Sequence, residues 1–87
     1  MSKKFEIVFS PTAQKVYKSL KDKKLLRGIN RALDEIAENP YFFPKLTGPL
    51  KGFRKAKTFS YRIIYRIIED QIQIFIFAIG PRSDIYQ

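Results

Sequence analysis

The chain has 87 residues, of which 45% are apolar, and a formal net charge of +9. This length is typical of one domain, so we predict a single domain over residues 1–87 that folds on its own. The chain has no cysteine and no histidine, which excludes disulfides, thiolate nucleophiles, cysteine metal sites and histidine general bases. Any catalysis must therefore use lysine, arginine, tyrosine or carboxylates, and we expect neither a metal nor a cofactor.

One long segment of the chain carries positive charge without any acid. Between Asn39 and Ile68 there is no acid, and the cations there are Lys45, Lys51, Arg54, Lys55, Lys57, Arg62 and Arg66. Such a run favours a polyanion partner, which can be nucleic acid, an anionic membrane surface or an acidic protein. No apolar run is long enough to span a membrane. Residues 1–6 lack the apolar run of a secretory signal, so we expect a cytoplasmic location.

The first half of the chain predicts one strand and two helices. Apolar and polar residues alternate over residues 4–9, which indicates a strand. Ser10 followed by proline is typical of a helix start, and apolar residues at helical spacing extend this helix to about residue 20. Asp22 is placed to cap a second helix, whose apolar stripe continues to the Asn39-Pro40 pair. We expect the helices to form an antiparallel hairpin that covers one face of a sheet.

Residues 53–58, 61–68 and 71–79 predict three further strands, which gives an α+β fold with a mainly antiparallel sheet. Phe59-Ser60 and Glu69-Asp70 are the predicted two-residue turns. These turns would pair Lys57 with Arg62, Lys55 with Ile64, Phe53 with Arg66, Ile67 with Ile72, Tyr65 with Ile74, and Ile63 with Ile76.

This register sorts the strand residues into two faces. The apolar face, expected beneath the helices, would carry Tyr61, Ile63, Tyr65, Ile67, Ile72, Ile74, Ile76 and Ala78. The opposite face would carry Phe53, Lys55, Lys57, Arg62, Ile64, Arg66, Gln73, Phe75 and Phe77. Like charges directly opposite each other destabilise a sheet, so the Lys57–Arg62 pair favours an anion site over an ordinary solvated face. For Phe75 and Phe77, packing is favoured over a partner groove or a platform for a nucleic-acid base.

Five segments of the chain form a set. They are Leu50-Lys51-Gly52, Lys55-Ala56-Lys57, Tyr61-Arg62-Ile63-Ile64-Tyr65, the apolar strand 72–79, and Gly80-Pro81-Arg82-Ser83-Asp84-Ile85-Tyr86. With the opening strand and helical hairpin, this set resembles the RelE/ParE superfamily of type II toxins, most closely its RelE-like mRNA interferases. The resemblance covers essentially the full chain and implies a RelE-like fold.

The resemblance also implies an activity and a site. Members of this group cleave mRNA, typically on the ribosome, by attack of a ribose 2′-hydroxyl on the adjacent phosphate. Carried over by position, the expected catalytic residues are Lys55, Lys57, Arg62, Arg82 and Tyr86. The expected RNA-binding residues are Lys51, Arg54 and Arg66. Many relatives have histidine where this chain has Pro81, so a mechanism that relies on that histidine cannot operate here.

The resemblance further implies a cognate antitoxin. We expect its toxin-binding segment to be acidic, partly apolar and disordered when unbound, so that it can cover the basic sheet face. Two other functions remain open at this point. One is a ParE-like inhibitor of DNA gyrase, and the other is a non-catalytic module that binds antitoxin or RNA.

Overall fold

A computed structural model of the protein describes residues 4–58 and 60–81. Its helices and strands follow the predicted order. They are β1 (Glu6–Phe9), α1 (Pro11–Ser19), α2 (Lys23–Glu38), β2 (Arg54–Lys57), β3 (Tyr61–Ile68) and β4 (Gln73–Pro81). The predicted α+β fold is confirmed, while Phe59 of the first predicted turn lies outside the described residues.

Both predicted helix caps are present. The Ser10 hydroxyl accepts a hydrogen bond from the Ala13 N–H at 3.0 Å. The Asp22 carboxylate accepts the N–H groups of Lys24 and Leu25 at 2.9 and 3.2 Å. These bonds satisfy backbone donors that have no partner inside the first turn of a helix. Neither helix in the described ranges is long and apolar enough to cross a membrane.

The four strands form one mixed sheet in the order β1-β4-β3-β2. β1 runs parallel to β4, and the other two pairings are antiparallel. The first hairpin has the predicted register, with Lys57 opposite Arg62 and Lys55 opposite Ile64. This register places Ala56, between the two lysines, in the core under the helices.

The predicted register of the second hairpin is wrong. Glu69–Gln71 form a 3₁₀ turn, and Ile72 follows in the left-handed region with φ of 53°. The connection therefore runs from Glu69 to Ile72, and Ile67 pairs with Ile74 instead of Ile72. Because the connection is two residues longer than predicted, and side chains alternate with a period of two, Ile67 and Ile74 still face the helices.

A β-bulge in β4 causes a second departure from prediction. Tyr65 pairs with Ile76, but its neighbour Ile64 pairs with Ala78, so Phe77 has no residue opposite it. The extra residue reverses the alternation of side chains beyond it. The predictions that Ile63 faces Ile76 and that Ala78 lies on the helix-covered face are therefore wrong, and Ile79 takes that place in the core.

The core lies between the helices and one face of the sheet. Its buried residues are Ala13, Ile29, Ala32, Leu33, Ile36, Ala56, Ile63, Tyr65, Ile74, Ile76 and Ile79. Ile67, which was predicted to lie beneath the helices, packs against this core while staying partly exposed, as does Leu20. The Tyr65 hydroxyl donates to the Pro40 carbonyl at 2.7 Å, and burial raises the pKa of this tyrosine. The chain that leaves α2 is thereby tied to the centre of β3.

Ser10 joins the start of α1 to the bulge. Its hydroxyl donates to the Phe77 carbonyl at 2.9 Å while accepting the Ala13 N–H. Its own N–H donates to the Ile76 carbonyl at 2.9 Å. The residue is only 7% exposed, so water can offer little replacement for these bonds. One side chain therefore caps a helix and also satisfies a carbonyl of the bulged strand.

We expect Ser10→Ala to lower the free energy of unfolding by about 1–3 kcal/mol, since it removes a cap and leaves a buried carbonyl without its partner. Urea denaturation measures this loss. The matched control is Ser19→Ala in the same helix, where the hydroxyl donates only to the Val16 carbonyl at an exposed position. We expect a change within about 0.5 kcal/mol there. Equal losses in the two variants would contradict the role of the Ser10–Phe77 bond.

Candidate nucleic-acid interface

The sheet face turned away from the helices carries most of the predicted site, and we call it the basic face. Its residues are Lys55 and Lys57 of β2, Arg62, Ile64 and Arg66 of β3, and Phe75, Ala78 and Gly80 of β4. The alternation of β2 and β3 explains this placement, because their intervening residues Ala56 and Ile63 lie in the core. The structure thus brings together Lys55, Lys57 and Arg62, as predicted from the first hairpin.

The cations of the basic face differ in exposure. Lys57 is exposed, Lys55 is partly buried and Arg62 is only 8% exposed. Directly opposed strand residues hold their Cβ atoms about 4.5–5.5 Å apart, so Lys57 and Arg62 are immediate neighbours. On its other side Arg62 pairs with Gly80, which contributes no side chain. The arginine therefore sits in a restricted space between β2 and β4.

Among the described strands, the acidic residue on this face is Glu6 of β1. Glu6 on β1 shares the face through its pairing with Gln73, and the Gln73 amide donates to its carboxylate at 3.0 Å. Gln73 begins β4, whereas Gly80, beside Arg62, lies near the end of that strand. Glu6 is thus separated from Arg62 by most of the length of β4.

Aromatic rings adjoin the cations. The rings of Phe53 and Phe77 lie 5.1 Å apart between centroids, and the Arg66 guanidinium lies 6.0 Å from the centre of the Phe53 ring. Phe77 remains 42% exposed, whereas Ile64 on the same face is fully buried. The sequence indicated aromatics on this face but not that Phe77 would be the exposed one, because its position depends on the bulge.

Arg54 is separated from the basic face. It pairs with Tyr65 and so points to the helix-covered side. Its guanidinium donates to the carbonyls of Tyr41 and Phe43 at 3.2 and 2.7 Å, and lies 5.6 Å from the centre of the Tyr41 ring. The predicted RNA contact at Arg54 thus falls on a side chain that fixes the connection between α2 and β2.

Lys51 lies with Arg54 in a cleft of about 720 Å³ at one end of the sheet, which Lys45, Tyr41 and Glu69 also line. The Tyr41 hydroxyl donates to Glu69 at 2.6 Å, and this bond raises the pKa of the tyrosine. The contact between Tyr41 and Glu69 was not predicted from the sequence, since they are 28 residues apart and no motif links them. Lys51 is therefore also separated from the Lys57–Arg62 pair.

Two predicted catalytic residues, Arg82 and Tyr86, lie outside the described residues. Over residues 4–58 and 60–81, no group of three or more acidic side chains is arranged to hold a metal ion. The described part of the candidate site is therefore a positive, partly aromatic sheet surface built from β2, β3 and β4.

Known proteins share this arrangement of elements. The chain is similar to the putative toxin RelE4 of Methanocaldococcus jannaschii, with 26% identity over 86 residues, or 95% of this chain and 92% of that protein. It resembles the isolated RelE toxin of E. coli with a TM-score of 0.78 and 26% identity, over 94% of this chain and 90% of that one.

A third similarity is to the toxin–antitoxin complex RelBE2 of Mycobacterium tuberculosis. Here the TM-score is 0.78 at 22% identity, over 91% of this chain and 99% of that one, which bears on the fold alone. The family model for the ParE toxin of type II toxin–antitoxin systems matches residues 7–86. Because this match spans nearly the whole chain, the protein belongs to the RelE/ParE superfamily of type II toxins.

Proposed function

We propose that this toxin is an endoribonuclease that cleaves messenger RNA on the ribosome without a metal ion. The observation that carries the proposal is the Lys57–Arg62 pair, with Lys55 at the next position of the same face. Opposed like charges have no stabilising role in a sheet, whereas they suit a phosphate whose negative charge grows during reaction. The absence of histidine and cysteine from the whole chain supports chemistry by lysine and arginine.

The proposed reaction is attack of a ribose 2′-oxygen on the adjacent phosphorus. A bond forms between the 2′-oxygen and phosphorus while the bond to the 5′-oxygen breaks, which leaves a cyclic phosphate and a 5′-hydroxyl. Lys55 or Lys57, in its neutral amine form, accepts the proton of the 2′-hydroxyl, while the other remains charged. Arg62 holds the phosphate, since its planar fork donates to two oxygens at once.

Two residues beyond the described part of the chain complete the proposed site. Arg82 would grip the phosphate or protonate the leaving 5′-oxygen, and Tyr86 would stack on a base or exchange a proton. Arg66 continues the positive surface along β3 and would contact RNA there. Lys51 would contact a more distant phosphate from its cleft, and Arg54 would add to the positive potential of that cleft.

We further propose a cognate antitoxin as the partner of this chain. The toxin of Mycobacterium tuberculosis named above was solved in a toxin–antitoxin complex, and the exposed Lys57 and Phe77 of the basic face support such a partner here. An acidic segment that folds on binding would neutralise Lys55, Lys57 and Arg62 and place apolar side chains against Phe77. The antitoxin and RNA would then compete for one surface.

Inhibition of DNA gyrase is the second candidate function. The matching family model carries the description of ParE, the branch for which that function is expected. Induction of the toxin in cells, with mapping of mRNA 5′ ends beside a DNA-supercoiling assay, separates the two functions. New 5′ ends within messages support the nuclease, whereas loss of supercoiling without such ends supports gyrase inhibition.

We expect Lys57→Ala to lower the single-turnover cleavage rate on saturating programmed ribosomes by about 100- to 1000-fold, the usual effect of removing one preorganised donor. Lys57 is exposed, so the fold should be retained. The matched control is Lys18→Ala on the exposed face of α1. Any contact that Lys18 makes with the RNA or the ribosome would be equally strong in the ground state and in the transition state. Its loss should therefore weaken association and leave the cleavage rate at saturation unchanged.

Arg62→Lys provides a second variant at the same site. It keeps the charge but loses the two-pronged geometry, so we expect a lower saturated rate with little loss of RNA affinity. Because Arg62 is largely buried, the thermal unfolding of the Arg62→Lys variant must be compared with that of the parent. A stable Lys57→Ala variant that cleaves at the parental rate, beside a slowed Lys18→Ala variant, would place the active site elsewhere.

We expect the affinity for uncleavable single-stranded RNA to fall steeply with salt. Each phosphate contact contributes a slope of about −0.7 in log K against log salt concentration. Lys55, Lys57, Arg62 and Arg66 together would give about −3, and Lys57→Ala should reduce this by about 0.7. Fluorescence titration at several salt concentrations measures both slopes, and a flat response would favour the gyrase-type function.

We expect EDTA to leave cleavage intact, since lysine and arginine supply the charge that a metal ion would otherwise provide. The measurement requires ribosomes held intact independently, for example by a polyamine. Intactness is checked by sedimentation of the same sample. Loss of cleavage on intact ribosomes, restored by added Mg²⁺, would contradict the proposed mechanism.

A further inference from the structure

The exposed ring of Phe77 is the feature that the proposed chemistry does not use. The bulge leaves this residue without an opposite partner on β3, and 42% of it remains exposed. The other large aromatic of this part of β4, Phe75, is less exposed. Bulges often re-aim a side chain next to an active site, and this one directs an aromatic ring onto the basic face.

The ring is supported from one side. Phe53, which directly precedes β2, lies 5.1 Å from Phe77 between ring centroids, with the planes inclined by 50°. β2 and β4 flank β3, so the two rings meet across that strand. Arg66 lies 6.0 Å from the centre of the Phe53 ring, a distance at which a cation is attracted to an aromatic face. Phe77 is thereby held in place with part of its surface still uncovered.

The position of the ring relative to the cations suits one kind of ligand. Ala78, next to Phe77, pairs with Ile64, and Ile64 stands two residues from Arg62 on the same face. Two residues of a strand span about 7 Å, so the ring is close to the place proposed for the scissile phosphate. An aromatic ring beside a row of cations is the arrangement that proteins use for unpaired bases of single-stranded nucleic acid.

We propose that Phe77, backed by Phe53, is a stacking platform for one unpaired base of single-stranded RNA, next to the phosphate held by Arg62. This proposal rests on the proposed nuclease function and adds a binding site to it. Along β4, the small residues Ala78 and Gly80 lie between the ring and the position opposite Arg62. The platform binds any base, since every base offers an aromatic face.

The test uses a short single-stranded RNA whose 2′-hydroxyl at the scissile position is methylated, so that binding is measured without cleavage. The RNA carries 2-aminopurine beside that position, and stacking quenches its fluorescence. We expect quenching by the parent chain, its loss in Phe77→Leu, and a roughly 5- to 150-fold weaker affinity in that variant. Phe77→Tyr should restore both signals. Phe42→Leu is the matched control, because Phe42 is 75% exposed in the connection after α2.

An RNA with an abasic unit at the 2-aminopurine position completes a double-mutant cycle. The abasic unit should weaken binding to the parent chain and to Phe42→Leu but not to Phe77→Leu. An equal loss in all three proteins would overturn the platform. Unchanged RNA binding by Phe77→Leu, with loss of affinity for an acidic amphipathic peptide, would assign the surface to a protein partner and also overturn it.

Cleavage of unmethylated mRNA on ribosomes distinguishes failure of the platform from failure of the proposed function. If the parent and Phe77→Leu both cleave the message and bind RNA with equal affinity, the platform proposal fails and the nuclease proposal stands. If a base stacks on Phe77 but no programmed ribosome yields cleaved mRNA, the nuclease proposal fails and Phe77 remains a base-binding site. Failure of the parent chain to bind the RNA at low salt overturns both.

Discussion

The hydrogen bond from the Ser10 hydroxyl to the Phe77 carbonyl stabilises the bulge on which both faces of the sheet depend. Before the bulge, Ile74 and Ile76 point to the core, and after it Ile79 does so. A regular strand would instead place Ala78 and Gly80 under the helices, where their small volume would leave a cavity. It would also turn Ile79 toward the basic face. The bulge thus fills the core and leaves small residues beside Ile64 and Arg62.

The two faces of the sheet have opposite effects on the free energy of unfolding: the apolar face raises it, and the opposed like charges of the basic face lower it. An opposed like-charge pair such as Lys57–Arg62 costs of the order of 0.2–1 kcal/mol, which is a noticeable fraction of the roughly 5–15 kcal/mol that keeps a domain folded. The apolar residues on the reverse of the same strands offset this cost, since Ala56 and Ile63 pair directly behind the cations and are fully buried. Strand alternation therefore lets four-residue β2 contribute to both faces.

Local signals allowed the sequence to predict the helix caps at Ser10 and Asp22 and the first hairpin, because each depends on residues close together in the chain. The first hairpin brought Lys55, Lys57 and Arg62 together correctly. The second hairpin was mispredicted because Ile72 adopts a left-handed conformation that is unusual for a β-branched residue. No glycine or break in the apolar pattern marks the bulge at Phe77. Its carbonyl is satisfied by a residue 67 positions away, which local patterns cannot reveal.

The placement of Arg54 shows why charge alone does not define the interface. Arg54 and Lys55 are adjacent in β2, yet strand alternation sends the first to carbonyls of the α2–β2 connection and the second to the basic face. On the basic face, the bulge leaves the Phe77 ring 42% exposed. A duplex keeps its base faces stacked inside and cannot use that ring, whereas an unpaired strand can present a base and a phosphate together. Under the proposed function, this geometry favours single-stranded RNA held in an extended form.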